Sequence, residues 1–237
     1  MSSGNVAGIL LAAGEGSRLG RPKAIIELGG LSLVRRGIAL LRDGGANPVV
    51  VVTGATGPLG TDLDGTDLDG TGVDDPGVDD PGMDDTPSDG TGPGGRRPAV
   101  IGVHNPDWRL GMGSSLAAGL AAVPAECSAA VFALADQPLI GPEAVRRLIA
   151  ARAAGASVAV ACYDGRPRNP VLIGREHWPD VIELAAGDVG ARPFLRAHQD
   201  LVTEVECGDT GRPDDIDTPD DLARIEALLA GTTSFPT

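Results

Sequence analysis

The chain alternates short apolar runs with segments whose apolar residues recur at helical spacing. Val6 to Ala13 is an apolar run of core-strand length, too short to span a membrane. The stretch SLVRRGIALLRDGG, beginning at Ser32, has helical periodicity and stops at Gly44 and Gly45. NPVVVVTG then reads as a buried strand and AVIGVHN as another, followed by SSLAAGLAAV as a short helix with Ser114 or Ser115 at its N-cap. AAVFALAD is the next strand, ending on Asp136, and GPEAVRRLIAARAAG is a helix opened by Pro142 and closed by Gly155. SVAVACYDG and RNPVLIG are further strands, the second a candidate for a smaller antiparallel excursion. A last helix starts near Thr218 and Pro219. This alternation predicts an α/β fold with a doubly wound, mostly parallel, Rossmann-like sheet, whose ligands sit at the strand carboxyl ends.

One segment breaks the pattern. From Ala55 to residue 97 the composition turns to Gly, Asp, Thr and Pro, in pseudo-repeats such as GTDLDGTDLDG and DDPGVDDPGMDD. Such a segment lacks the apolar area to offset its ordering entropy, so a disordered insert in a single domain spanning 1–237 is expected. Its D-x-D-G units lack the distal glutamate and ligand spacing of an EF-hand, which argues against a calcium site. The insert also accounts for most of the charge. Residues 61–95 hold eleven aspartates and no basic residue, and without them the net charge of −14 falls to −3.

The remaining chain is large enough for one ordinary domain. Aromatic residues are only 3% of it, so the core must be built from Ala, Val, Leu and Ile, as suits a parallel sheet under helices. Cys127, Cys162 and Cys207 are odd in number and form no C-x-x-C pair, which points to free buried thiols in a reducing compartment. His104, His177 and His198 show no metal-binding spacing. No signal segment and no membrane-length apolar run is found, so a cytoplasmic protein without a membrane contact is expected. No basic stripe suggests nucleic acid.

Candidate chemistry starts where the first strand ends. Gly14, Gly16 and Gly20 allow the backbone to turn sharply and aim several N–H groups at one anion, and Arg18, Arg21 and Lys23 add positive charge. Two better-known glycine loops do not fit. Lys23 is followed by Ala24, which excludes a P-loop, and Gly20 falls one residue late for a dinucleotide fingerprint. On residues alone the loop is either a phosphate cradle or a tight turn with solvated cations.

The complete pattern L-A-A-G-x-x-x-R-x-G-x-P-K, from Leu11 to Lys23, resembles the signature loop of MobA-like nucleotidyltransferases. It is most similar to that of molybdenum cofactor cytidylyltransferases of the MocA type. NPDWRLGMGSSLAAGL (105–120), LADQP (134–138), GDVGAR (187–192) and DIDTPDDL (215–222) agree in order along the chain. The resemblance implies a GT-A-type fold and transfer of CMP from CTP to a molybdopterin-type molybdenum cofactor, releasing pyrophosphate. It implies Lys23, Arg18 and Asp136 as catalytic groups, and Asp136 with Asp217 as ligands of Mg²⁺, whose preference for hard oxygens the carboxylates satisfy. It puts Leu11, Ala12, Ala13, Gly14, Gly16, Ser17, Ser114 and Ser115 against the nucleotide. Arg168, Asn169, Asp188 and Arg192 would then face the acceptor. Here the chain departs from the family: Arg168 and Asn169 stand before Pro170 where a glycine-histidine pair is usual, so a proton-shuttling imidazole is missing. Asp188 and Arg192 also read as a structural ion pair, Ser114 and Ser115 as simple caps, and Asp217 as a cap before Thr218. The LAAG form, rather than LAGG, favours CTP. A molybdenum hydroxylase apoenzyme or its maturation factor is the implied partner. Three alternatives stay open: a guanylyltransferase, a transferase acting on another small phosphorylated metabolite, and a non-catalytic carrier of a nucleotide-like cofactor.

Overall fold

The computed structural model describes residues 5–58, 99–185 and 187–232. In chain order the elements are β1 (Asn5–Ala12), β2 (Glu27–Leu28), β3 (Leu31–Ser32), α1 (Leu33–Asp43), β4 (Val49–Thr53) and β5 (Val100–His104). There follow α2 (Met112–Ala121), β6 (Cys127–Leu134), α3 (Pro142–Ala153), β7 (Val158–Tyr163) and β8 (Arg166–Gly174). The chain closes with α4 (Trp178–Leu184), α5 (Arg192–Ala197), β9 (Val202–Glu206) and α6 (Pro219–Thr232).

Seven strands form one sheet in the order β5-β4-β1-β6-β8-β7-β9, and β2 pairs with β3 in a small hairpin. Six strands run the same way; β8 is antiparallel to both β6 and β7. The central strands β1 and β4 are buried along nearly their whole length, as strands covered on both faces must be. One apolar layer packs Val34, Ile38 and Leu41 of α1 and Val145 and Leu148 of α3 against the sheet. The opposite layer holds Leu116 and Leu120 of α2 with Trp178, Val181 and Phe194 of α4 and α5. The fold is therefore the expected doubly wound α/β sheet. A third cluster, Ile26, Leu28, Leu33, Ile216 and Ile225, ties the hairpin to α6.

Two expectations are refined. RNPVLIG is not a separate excursion: as β8 it inserts into the main sheet between β6 and β7. The N-cap of α2 is Gly111, and Ser114 and Ser115 fall in the first turn. Gly111 has φ 105, and a Cβ there would stand 2.3 Å from the carbonyl carbon of Gly187, so only glycine lets the 187–190 loop close onto the helix start. The strand β9, mostly exposed and charged, was not anticipated, since it shows no apolar run. All three cysteines are free and buried, and burial pushes the Cys162 thiol up to about 11. Among the described residues no helix is long and apolar enough to cross a membrane.

The expected insert lies, apart from Ala55 to Pro58, outside the described residues. Its ends are nevertheless set, because β4 and β5 are parallel neighbours, Val49 opposite Val100 and Thr53 opposite His104. A connection must return along a five-residue strand, roughly 17 Å. Deleting residues 58–94 and bridging with a flexible linker of about six residues spans that distance, and the loop-closure term changes little with length. The expected outcome is a folded protein that keeps its activity, checked by thermal melt and activity assay. Loss of either assigns the insert a structural or catalytic role.

Candidate active site

Strand β1 is flanked by β4 on one side and β6 on the other, so the chain switches direction of winding at the carboxyl ends of β1 and β6. In doubly wound sheets that gap is where ligands bind. The glycine loop leaves β1 there and makes a 3₁₀ turn at Ser17–Leu19. Gly16 adopts φ 63, and a Cβ at that position would lie 2.2 Å from the Arg21 carbonyl oxygen, so the turn requires glycine. A Cβ on Gly14 would meet nothing within 4 Å, because Gly14 faces open space over a cavity of about 550 Å³.

Lys23 closes the loop and bridges two carboxylates from distant parts of the chain. Its Nζ lies 2.7 Å from Asp136 Oδ2 and 2.5 Å from Asp217 Oδ1. Asp136 follows β6 by two residues, and Asp217 precedes α6. Burial pulls the Lys23 ammonium down, but the two carboxylates outweigh it and hold the group above its ordinary value, so it stays charged. Asp136 is 21% exposed and Asp217 49%, so the Asp136 contact is the less screened of the two. Asp136 Oδ1 is buried and has no hydrogen-bond partner. Beside it, the Gln137 amide donates to Asp215 Oδ1 at 2.9 Å. Burial, then the charge of Asp136, pushes the Asp215 carboxyl above the ordinary range. Two carboxylates thus meet one ammonium, with Asp215 nearby on Gln137. A divalent cation fits this donor set, since Asp136 retains an unpartnered hard oxygen and excess negative charge remains. Among the described residues no group of three His, Cys, Asp or Glu side chains forms a protein-only metal cage.

The sequence-derived residues divide between two cavities. Leu11, Ala12, Ala13, Gly14, Lys23, Ser115, Asp136 and Asp188 line the smaller one. Arg168, Asn169 and Arg192 line a second, of about 930 Å³, together with Gln137 and Asp215. Asp136 and its neighbour Gln137 therefore stand at the junction. Asp188 and Arg192 face different cavities and form no ion pair with each other among the described residues. Arg18, Gly16 and Ser17 line neither cavity, and Arg18 is exposed. Ser114 also lines neither; its hydroxyl donates to the carbonyls of Gly111 at 2.8 Å and Asp107 at 3.0 Å.

Several residues at the site were not singled out from sequence. Asn105 is buried and donates to Ser114 Oγ at 2.9 Å and Ser115 Oγ at 3.0 Å, fixing the start of α2. Its signal was its place at the head of the NPDW segment. Gln137 and Asp215 sit within LADQP and DIDTPDDL, where attention went to the neighbouring aspartates. Arg196 and Glu204 of the larger cavity had no signal, since α5 and β9 had no readable period.

A family model described as the MobA-like NTP transferase domain matches residues 8–202. Nicotine blue oxidoreductase of Paenarthrobacter nicotinovorans is 33% identical over 227 residues, 93% of this chain and 96% of that protein. A probable molybdenum cofactor guanylyltransferase of Opitutus terrae is 49% identical over 47 residues, 20% of this chain and 23% of that one. Among solved structures, the Rv0371c homologue from Mycobacterium sp. strain JC1 matches with TM-score 0.69 and 28% identity, covering 96% of this chain and 98% of that one. With the glycine loop, the switch-point lysine and the sheet order all in agreement, the chain belongs to the MobA-like NTP transferase family and is an enzyme of the nucleotidyltransferase class.

Proposed function

We propose that the protein transfers CMP from CTP to the terminal phosphate of a molybdopterin-type molybdenum cofactor. The observation that carries this reading is Lys23 held between Asp136 and Asp217, beside the open Gly14 backbone. In such a transfer an oxygen of the acceptor phosphate attacks the α-phosphorus of CTP. A new P–O–P bond forms, the bond from the α-phosphorus to the bridging oxygen breaks, and pyrophosphate leaves with the electron pair. The nucleophile is already anionic, so the missing histidine before Pro170 removes no obligatory base. What the reaction needs is alignment and charge neutralisation. Lys23 supplies a fixed cation for the departing pyrophosphate. Asp136 and Asp217 would hold Mg²⁺, which when bound neutralises triphosphate charge. Leu11 to Gly14 and Ser115 contact the nucleotide, and Asp188 lies on the same side.

The acceptor belongs in the larger cavity. Arg168, Arg192 and Arg196 there offer planar, permanently charged donors suited to phosphate, while Asn169 takes the position of the usual histidine. The guanylyltransferase relative supports an acceptor of the molybdenum cofactor class, and the LAAG form of Leu11–Gly14 supports cytosine as the base. The exposed Arg18 is assigned a role in closing over the triphosphate. A cytoplasmic site of action, with delivery to a molybdenum hydroxylase or its maturation factor, completes the proposal.

A second reading is favoured by one observation: the relative matching 93% of the chain is named for an oxidoreductase activity. In it the same cleft would serve an oxidation–reduction and release no pyrophosphate. Pyrophosphate release measured with each of the four nucleoside triphosphates, with and without molybdenum-loaded molybdopterin, separates the two. The expected result is release with CTP that depends on the acceptor. Equal turnover of GTP overturns the base assignment. Absence of release with every nucleotide, with and without acceptor, overturns the transfer reading.

A further inference from the structure

The loop between β5 and α2 contributes two side chains to the smaller cavity, Trp108 and Arg109, that the motifs did not single out. Their position follows from the sheet. Strands lie about 4.8 Å apart, so in the order β5-β4-β1-β6 the loop after β5 is roughly 14 Å across the sheet from the loop carrying Asp136. Trp108 leans back over the end of β4: a Cβ on Gly54 would lie 2.5 Å from both Cβ and Cγ of Trp108, so the contact exists because residue 54 is glycine. One end of the cavity thus holds the ammonium and the carboxylates, and the other holds an indole. A nucleoside triphosphate whose phosphates meet Lys23 places its base at the indole end.

Arg109 decides what that end presents. Its guanidinium carbon lies 4.4 Å from the Trp108 ring centroid, within cation–π range. Among the described residues it has no carboxylate partner, although it is exposed and the chain is acidic. It is exposed, packs on the indole and lines the cavity beside it, so a flat ligand in that end of the cavity meets the guanidinium. Guanidinium planes, like aromatic rings, accept a flat base by stacking.

We propose that Arg109, backed by Trp108, is the nucleobase wall of this site, a layered indole–guanidinium–base stack that grips the nucleoside and not the phosphates. The proposal rests on the nucleoside triphosphate reading of the same cavity. It differs from a phosphate role for Arg109 in a measurable way, because pyrophosphate carries the charges of the leaving group without a base.

The test is calorimetric titration of the full-length protein with CTP and, separately, with pyrophosphate, both with Mg²⁺, in wild type, W108A, W108F, R109A and R109K. Losing one base stack should make W108A and R109A weaken CTP binding by roughly 5- to 150-fold and leave pyrophosphate affinity unchanged. W108F should recover most of the loss. R109K should not, because lysine keeps the charge and lacks the plane. If W108A does not fold, the two Arg109 variants and W108F carry the comparison. A second readout is tryptophan emission. The chain has two tryptophans, and Trp178 is buried with its indole N–H donating to the Ile173 carbonyl, so CTP should quench the wild type and leave W108F unchanged. A parallel loss of CTP and pyrophosphate affinity in R109A, full recovery in R109K, or CTP binding without quenching overturns the proposal alone. Failure of the wild type to bind any nucleoside triphosphate overturns it together with the function proposed above.

Discussion

Replacing Lys23 with alanine should lower turnover by roughly a hundredfold or more while making the protein bind a divalent cation more tightly. The first effect follows from removing a preorganised cation from the place where negative charge develops on the leaving group. The second follows from geometry. Lys23 now neutralises Asp136 and Asp217 at 2.7 and 2.5 Å, and its loss leaves these two carboxylates without a counter-charge, with Asp215 close by. A cation added to solution then meets less competition, so Mn²⁺ titration should show a lower Kd than in wild type. The same crowding should make K23A less stable in chelator and restore part of the loss on adding metal. The expected destabilisation is below the about 3–5 kcal/mol of a fully buried broken pair, because Asp217 is half exposed. Near-normal turnover, or weaker Mn²⁺ binding in K23A, removes Lys23 from the proposed role.

Asp136→Asn should also cost roughly a hundredfold or more in turnover, but with the opposite effect on metal and almost none on stability. The amide keeps the shape and accepts from Lys23, yet loses the charge that a hard cation needs. Stability is spared because two changes offset each other. The Lys23 contact weakens, and the carboxylate that repels Asp215 is gone. The pH dependence reports the second change directly. Burial and Asp136 raise the folded-state pKa of Asp215 above its unfolded value of about 3.9, so the folded state resists its ionisation. This group's contribution is therefore a loss of stability as pH rises from the unfolded value through the folded one. D136N shrinks that gap, and its melting temperature should fall less than the wild type's across the acid-to-neutral range. Equal slopes in the two proteins, or turnover within a few-fold of normal, would sink the assignment of Asp136.

The reach of sequence reading differed between elements for identifiable reasons. β1, β4 and β6 were legible because strands covered on both faces must be continuously apolar, and α1 and α3 because their caps and periodicity agree. β9, with mostly exposed positions on the sheet edge, and the short α4 and α5 had no such period. The N-cap of α2 was misread because Ser114 and Ser115 are good capping residues by local chemistry, whereas Gly111 was chosen by a long-range contact with Gly187.

The site shows the same division. The residue types and their order, a glycine loop ending in Lys23 and two later aspartates, are local strings that any chain performing this chemistry must write down, and they were readable at once. Distances between them were not. Lys23 lies 113 residues from Asp136 and 194 from Asp217, and only the crossing of the chain at the β1/β6 gap brings the three together. Pocket membership was likewise invisible. Asp188 and Arg192 are four residues apart in one motif, yet the turn through Gly190 at φ 55 aims them into different cavities. By itself the sequence determined the strands, the charges and the chemical alphabet of the site, because those depend on side-chain type and period. The tertiary structure alone decided which charges neutralise which, because Coulomb and hydrogen-bond energies depend on separations that the winding of the sheet sets.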